Sequence, residues 1–179
     1  PKPSTYSPKS IELDLDDNLT GWIYHMFLLD CWMLTSSAMF RKSVFAECGN
    51  FDETLPYSED WDLWLRLSRR YQFAKLRQAN TLYRQHPDQG NRQPRPIDYR
   101  TRLLRESVNR WGLSSPDGRS ISRSAFRSQL SHYHKLFALH QLQYDQQANA
   151  IASFATAWKT SPFHVQDLAY IALAIMGWR

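Results

Sequence analysis

The 179-residue chain has no run of eighteen apolar residues, so no segment of it reads as a transmembrane helix. The stretch Pro1-Lys2-Pro3-Ser4-Thr5-Tyr6-Ser7-Pro8 has no apolar h-region and does not read as a secretory signal. Cysteine is limited to Cys31 and Cys48, and neither stands in a Cys-x-x-Cys pair. Two buried free thiols in a cytosolic protein are expected from that pattern. There is no early alternation of strands and helices and no glycine-rich or acidic nucleotide site.

What is present is enough for a packed core. Hydrophobic residues make up 42% and aromatic residues 14%, which excludes disorder throughout, and the length suits one domain or one plus a small appendage. Charge is unevenly placed. Residues 1–65 carry 4 Lys/Arg against 11 Asp/Glu, whereas residues 66–110 carry 12 against 3. A basic block of that kind suits an anionic partner: nucleic acid, anionic lipid or another part of a larger fold. Arg100, Arg102, Arg105 and Arg110 do not form one helical stripe, which argues against nucleic acid.

The patterning predicts a helix-rich α/β chain with few strands. Residues 1–10, with three prolines, read as an extended lead-in. Residues 11–17 alternate apolar and acidic positions, as a short strand or a loop does. Asn18 or Thr20 can cap a helix running to about Leu29, with Trp22, Ile23, Met26 and Phe27 inward. A strand is expected over 32–40, a short helix over 42–48 closed by Gly49, and strands over 72–76 and 81–85. The proline- and glycine-rich stretch 86–96 is loop. A helix from Ile97 to about Trp111 ends at Gly112, and 114–118 is a linker. Helical spacing then continues from about Ser122 to the end, where small residues between aromatics resemble a tetratricopeptide-type hairpin.

The most informative stretch is 51–67. Ser58 is placed to cap a helix with its hydroxyl, and Glu59, Asp60 and Asp62 fall in the first turn, where the helix dipole favours carboxylates. Trp61, Trp64, Leu65 and Leu67 follow at helical spacing. A carboxylate on such a stem can serve as a general base or simply as a helix-capping acid.

Taken in order, Thr35-Ser36-Ser37-Ala38-Met39-Phe40-Arg41-Lys42, Cys48-Gly49-Asn50-Phe51-Asp52-Glu53, Ser58-Glu59-Asp60-Trp61-Asp62-Leu63-Trp64 and Leu82-Tyr83-Arg84-Gln85-His86 resemble the second half of a family 2 glycosyltransferase, the inverting enzymes of GT-A fold. The matches span about residues 19–86. The resemblance implies transfer of a sugar from a nucleotide-diphosphate donor to an acceptor hydroxyl, in surface polysaccharide or glycolipid synthesis. It makes Asp60 the base, with Glu59 orienting the acceptor or raising the pKa of Asp60, and Asp62 structural. It puts Ser36 and Ser37 in the donor-sugar pocket, beside Thr35. The flat aromatic faces of Trp61 and Trp64 suit stacking on an acceptor sugar, with core packing expected of Trp64 from its helical spacing. It gives His86 a place in a metal sphere. The charge and the glycine and proline content of the loop after it suit Arg92 and Arg95 to closing over the leaving diphosphate.

The resemblance implies Mg or Mn in the full-length enzyme and none held by this chain alone. Asp14-Leu15-Asp16 has the letters of the family's metal motif but reads as a chance match. Residues 11–96 then form the C-terminal half of a GT-A domain, 97–113 a connecting helix and 114–179 a helical tail. With no nucleotide-binding half in evidence, the chain is expected to be a fragment, inactive by itself, located in the cytoplasm at the inner face of the membrane with at most peripheral contact. The rival readings are a helical protein-interaction module and a basic nucleic-acid-binding protein.

Overall fold

The apolar residues of 59–67 form one broad helical face, and that decides where this helix sits. In the computed structural model, which describes residues 13–86, 89, 93, 95–162 and 166–176, helix α3 (Glu59–Leu67) buries Trp61, Leu63, Trp64, Leu65 and Leu67. A helix with so wide an apolar face needs several neighbours to cover it, while Glu59, Asp62 and Arg66 keep its polar side part-exposed. Its neighbours are α1 (Tyr24–Phe27), α2 (Val44–Cys48), α4 (Tyr99–Trp111) and α5 (Arg123–Gln143), which share one core with it.

Among the described residues there is no sheet. Segments 14–21 and 73–77 run antiparallel but meet only at isolated bridges, Leu15 with Leu76 and Gly21 with Phe73. The interruption is local: Asp17–Leu19 form a 3-10 turn capped by the Asp16 carboxylate. The strand expected over 32–40 is absent, and a 3-10 turn occupies Thr35–Ser37. The Ser37 hydroxyl donates to the Leu34 carbonyl at 2.8 Å, the local bond by which serine competes with a sheet ladder. Residues 81–86 have no regular secondary structure and form no bridge. The helix-rich character is therefore as expected, and the paired strands are not.

The helix expected from Asn18 or Thr20 is also much shorter. Gly21, at φ +94°, exchanges backbone hydrogen bonds with Phe73, so helical geometry starts only at Tyr24. Other ends follow side-chain chemistry. Gly49 closes α2 with its N–H on the Phe45 carbonyl. Asp98 caps α4 and Ser122 caps α5, each with a side-chain oxygen accepting from a backbone N–H three residues on.

Buried polar groups tie the parts together. The Tyr24 hydroxyl lies 3.1 Å from the Ser107 carbonyl and 3.0 Å from that of Gly112. Ser115, in the loop after α4, accepts from the His25 N–H at 3.0 Å. The Tyr133 hydroxyl, on α5, lies 3.0 Å from the Leu29 carbonyl and 2.9 Å from Asp30 Oδ1. Beyond it α6 (Gln147–Thr160) and α7 (Gln166–Ile175) pack with the end of α5 around a second core of Ala138, Ala150, Phe154 and Ala174. The Phe154 and Tyr170 rings stack there at 5.5 Å. No helix among the described residues is long and apolar enough to cross a membrane.

Candidate active site at the start of α3

The entry to α3 is bent by its cap residue. Ser58 has φ 65° and ψ 20°, left-handed backbone that costs a residue with a side chain free energy, and its hydroxyl caps nothing. The side-chain cap expected of Ser58 is thus replaced by a strained backbone that turns the chain sharply into Glu59 and Asp60. Only the Ser58 carbonyl joins the helix, accepting from the Asp62 N–H at 3.0 Å.

Asp60 is half-buried in the first turn. Its Oδ1 accepts from the Trp61 N–H at 2.7 Å, and its Oδ2 accepts from the Thr35 hydroxyl at 3.1 Å. The turn at Thr35–Ser37 therefore lies against the acid pair. Each carboxylate oxygen carries two lone pairs, so both retain acceptor capacity after these bonds.

Cys31 belongs to the same corner. Burial first, and the Asp60 charge second, push its thiol up to about 12. Its Sγ lies 3.4 Å from the Met33 carbonyl, and its N–H donates to Asp30 Oδ1 at 2.8 Å. Tyr133 anchors on that same Asp30, and the Arg100 guanidinium lies over the Tyr133 ring at 5.6 Å. α4 and α5 thereby support the acid-bearing turn from behind.

The other candidates separate clearly. Glu59 is half-buried beside Asp60, and Ser36 and Ser37 are exposed on the turn that holds Thr35. Trp61 needs correction: it is 3% exposed, donates its indole N–H to the Phe27 carbonyl at 2.8 Å and packs edge-on to Tyr133, so it has no face for an acceptor ring. Trp64 is fully buried, as expected. Asp62 binds Arg66 at 2.8 Å, and Arg66 continues to the carbonyls of Cys48 and Asn50, a brace between α3 and the end of α2.

Arg95 lies with its guanidinium 4.6 Å above Tyr57, three positions before Asp60; burial, with Arg100 nearby, lowers its pKa. Arg92 lies outside the described residues. His86 is exposed, and no three His, Cys, Asp or Glu side chains gather as a metal donor set among the described residues. Asp14 pairs with Arg77 at 3.1 Å and Asp16 caps the 3-10 turn, so the Asp-x-Asp letters there have structural uses.

The residue that sequence reasoning did not connect to Asp60 is Thr35, together with Cys31. No spacing rule joins positions so far apart, because loop packing alone brings them together. The resulting site holds a fixed, partly exposed carboxylate next to a hydroxyl-rich turn, a geometry suited to taking a proton from an incoming alcohol. Neither the curated proteins nor the solved structures contain a match to this chain. Residues 12–93, which include α1 to α3 and the whole Asp60 corner, match the model of the family described as glycosyltransferase like family 2, so the segment that builds this site is similar to that family.

Proposed function

We propose that this chain carries the acceptor side of an inverting glycosyltransferase of GT-A type, with Asp60 as the general base. The observation that carries the reading is the Asp60 carboxylate, held at the mouth of α3 by Thr35 and still partly open to solvent, inside the segment that matches the family. An acceptor hydroxyl approaching Asp60 loses its proton as its oxygen attacks the anomeric carbon. The nucleotide diphosphate leaves from the opposite face, which inverts the configuration. Glu59 and the exposed Ser36 and Ser37 bind sugar hydroxyls around that point.

The nucleotide-sugar donor needs more than these residues supply. Segment 81–86 has no β-bridge among the described residues, Leu82 is fully exposed, and Leu76 and Tyr83 are exposed beside it. A strand-bearing nucleotide-binding part that pairs with this segment would cover those side chains. The reading includes a sugar or glycolipid acceptor, surface polysaccharide or glycolipid as product, and work at the cytoplasmic face of a membrane. Arg95, with Arg92, is the proposed contact to the diphosphate. A divalent cation, Mg or Mn, belongs to the reading of the full-length enzyme only; among the described residues no three His, Cys, Asp or Glu side chains gather, and no step here runs through a metal.

The product's anomeric configuration tests the reading. The purified enzyme containing this segment and a nucleotide-binding part is given a nucleotide sugar and an acceptor, and the product is read by proton NMR. Inversion, lost with Asp60→Asn, is expected. Retention, or undiminished transfer by the variant, would overturn it.

A further inference from the structure

A cavity of about 460 Å³ opens between α4, α5 and α6, and Asp60 is not among the residues that line it. Its apolar wall includes Phe126 and Leu130, which are 8% and 3% exposed. Around them stand Arg105, Arg127 and Lys159, with Thr156 beside them. No aspartate or glutamate lines the cavity.

What marks this hollow is that three cationic side chains and no carboxylate share it, whereas several arginines elsewhere have carboxylate partners. Arg66 is paired with Asp62, Arg77 with Asp14 and Asp17, Arg102 with Glu106 and Arg119 with Asp117. Among the described residues Arg105, Arg127 and Lys159 form no ion pair. Three like charges around one hollow repel each other, and an anion seated among them removes that repulsion. The cavity is also partly prepared. Arg127 Nε donates to the Thr160 carbonyl at 2.9 Å, which fixes one guanidinium at the rim and leaves its other N–H groups for a ligand.

Size and lining narrow the ligand. The volume lies within the range of small-molecule sites, about 300–1,000 Å³, and exceeds what one inorganic phosphate needs. Guanidinium forks match phosphate oxygens, and the phenyl and leucyl wall suits an apolar body. We infer that this cavity binds a phosphate monoester carrying an apolar group, whether a soluble ester or the headgroup of phosphatidic acid. The site is independent of the transferase reading, since its residues lie on α4, α5 and α6 and bind no group of the Asp60 corner.

The test uses the whole chain and the double variant Arg105→Gln/Lys159→Gln, whose two positions are exposed on helices and tolerate glutamine. The probes are phenyl phosphate, inorganic phosphate, and vesicles of phosphatidylcholine with and without phosphatidic acid. Binding is read by amide chemical shifts for the soluble probes and by co-sedimentation for vesicles. Saturable binding of phenyl phosphate, or of the phosphatidic acid vesicles alone, is expected, weakened about tenfold or more in the double variant. The first result names a soluble ester and the second a lipid. Three results would overturn the inference: no binding of either probe, equal binding by the double variant, or inorganic phosphate binding as tightly as phenyl phosphate. Circular dichroism of the double variant guards against loss through unfolding.

Discussion

Thr35 and Asp60 stand 25 positions apart and meet through a 3.1 Å hydrogen bond from hydroxyl to carboxylate. That bond fixes one oxygen of the proposed base relative to the turn bearing Ser36 and Ser37. Thr35→Val keeps the shape and removes the donor. In the active enzyme we expect kcat to fall about tenfold with KM little changed, because a carboxylate free to rotate loses orientation rather than binding contacts. Steady-state kinetics check this, and a change confined to KM would place Thr35 in binding instead.

Cys31 reports on Asp60 without any need for turnover. The Asp60 charge disfavours the Cys31 thiolate, second only to burial. Asp60→Asn removes that charge, so the thiolate fraction rises and alkylation by iodoacetamide accelerates, by a factor of about two to ten. Peptide mass spectrometry separates Cys31 from Cys48. An unchanged Cys31 rate in the variant would mean that the two groups do not face each other in solution.

Alkaline stability follows from the same thiol. Cys31 has its pKa raised in the folded chain to about 12 from an ordinary 9.0. Unfolding releases the thiol to ionise, so its contribution to stability is fully present below pH 9 and is lost as pH rises toward 12. The slope is at most about 1.4 kcal/mol per pH unit. Burial raises Tyr24 and Tyr133 as well, which steepens the loss at the alkaline end. Urea midpoints measured on both sides of pH 9 should fall with pH, and Cys31→Ala should flatten the first part of that fall.

The second core can be broken without touching the acid corner. Phe154 is fully buried and stacks on Tyr170 of α7. Phe154→Ala is expected to cost about 3–5 kcal/mol and to expose α7 and the end of α5 to amide exchange. Cys31 alkylation should stay at its original rate. Acceleration there as well would show that the two cores unfold as one.

The sequence disclosed helices better than strands, for a physical reason. A helix such as α4 is specified by its own residues: Asp98 at the start, Gly112 at the end and apolar spacing between. A strand is specified by its partner, and 81–86 finds none among the described residues, so β-like residues there form no strand. Gly21 spoiled the expected long first helix because its backbone was needed by Phe73, 52 positions on, a demand invisible in local pattern. In the candidate site the acid pair was legible from helix-start chemistry. The left-handed Ser58, the Thr35 bond and the burial of Trp61 were not, because each depends on how loops and α5 close around α3.

The central claim is that Asp60, not its neighbour, takes the proton. Transfer rates of Asp60→Asn and Glu59→Gln, measured side by side in the enzyme that contains this segment with matched melting curves, test it most directly. The account predicts a fall of about 10²–10⁴-fold for Asp60→Asn and a fall within about tenfold for Glu59→Gln. Near-normal transfer by a folded Asp60→Asn enzyme, or the larger loss in Glu59→Gln, would contradict it.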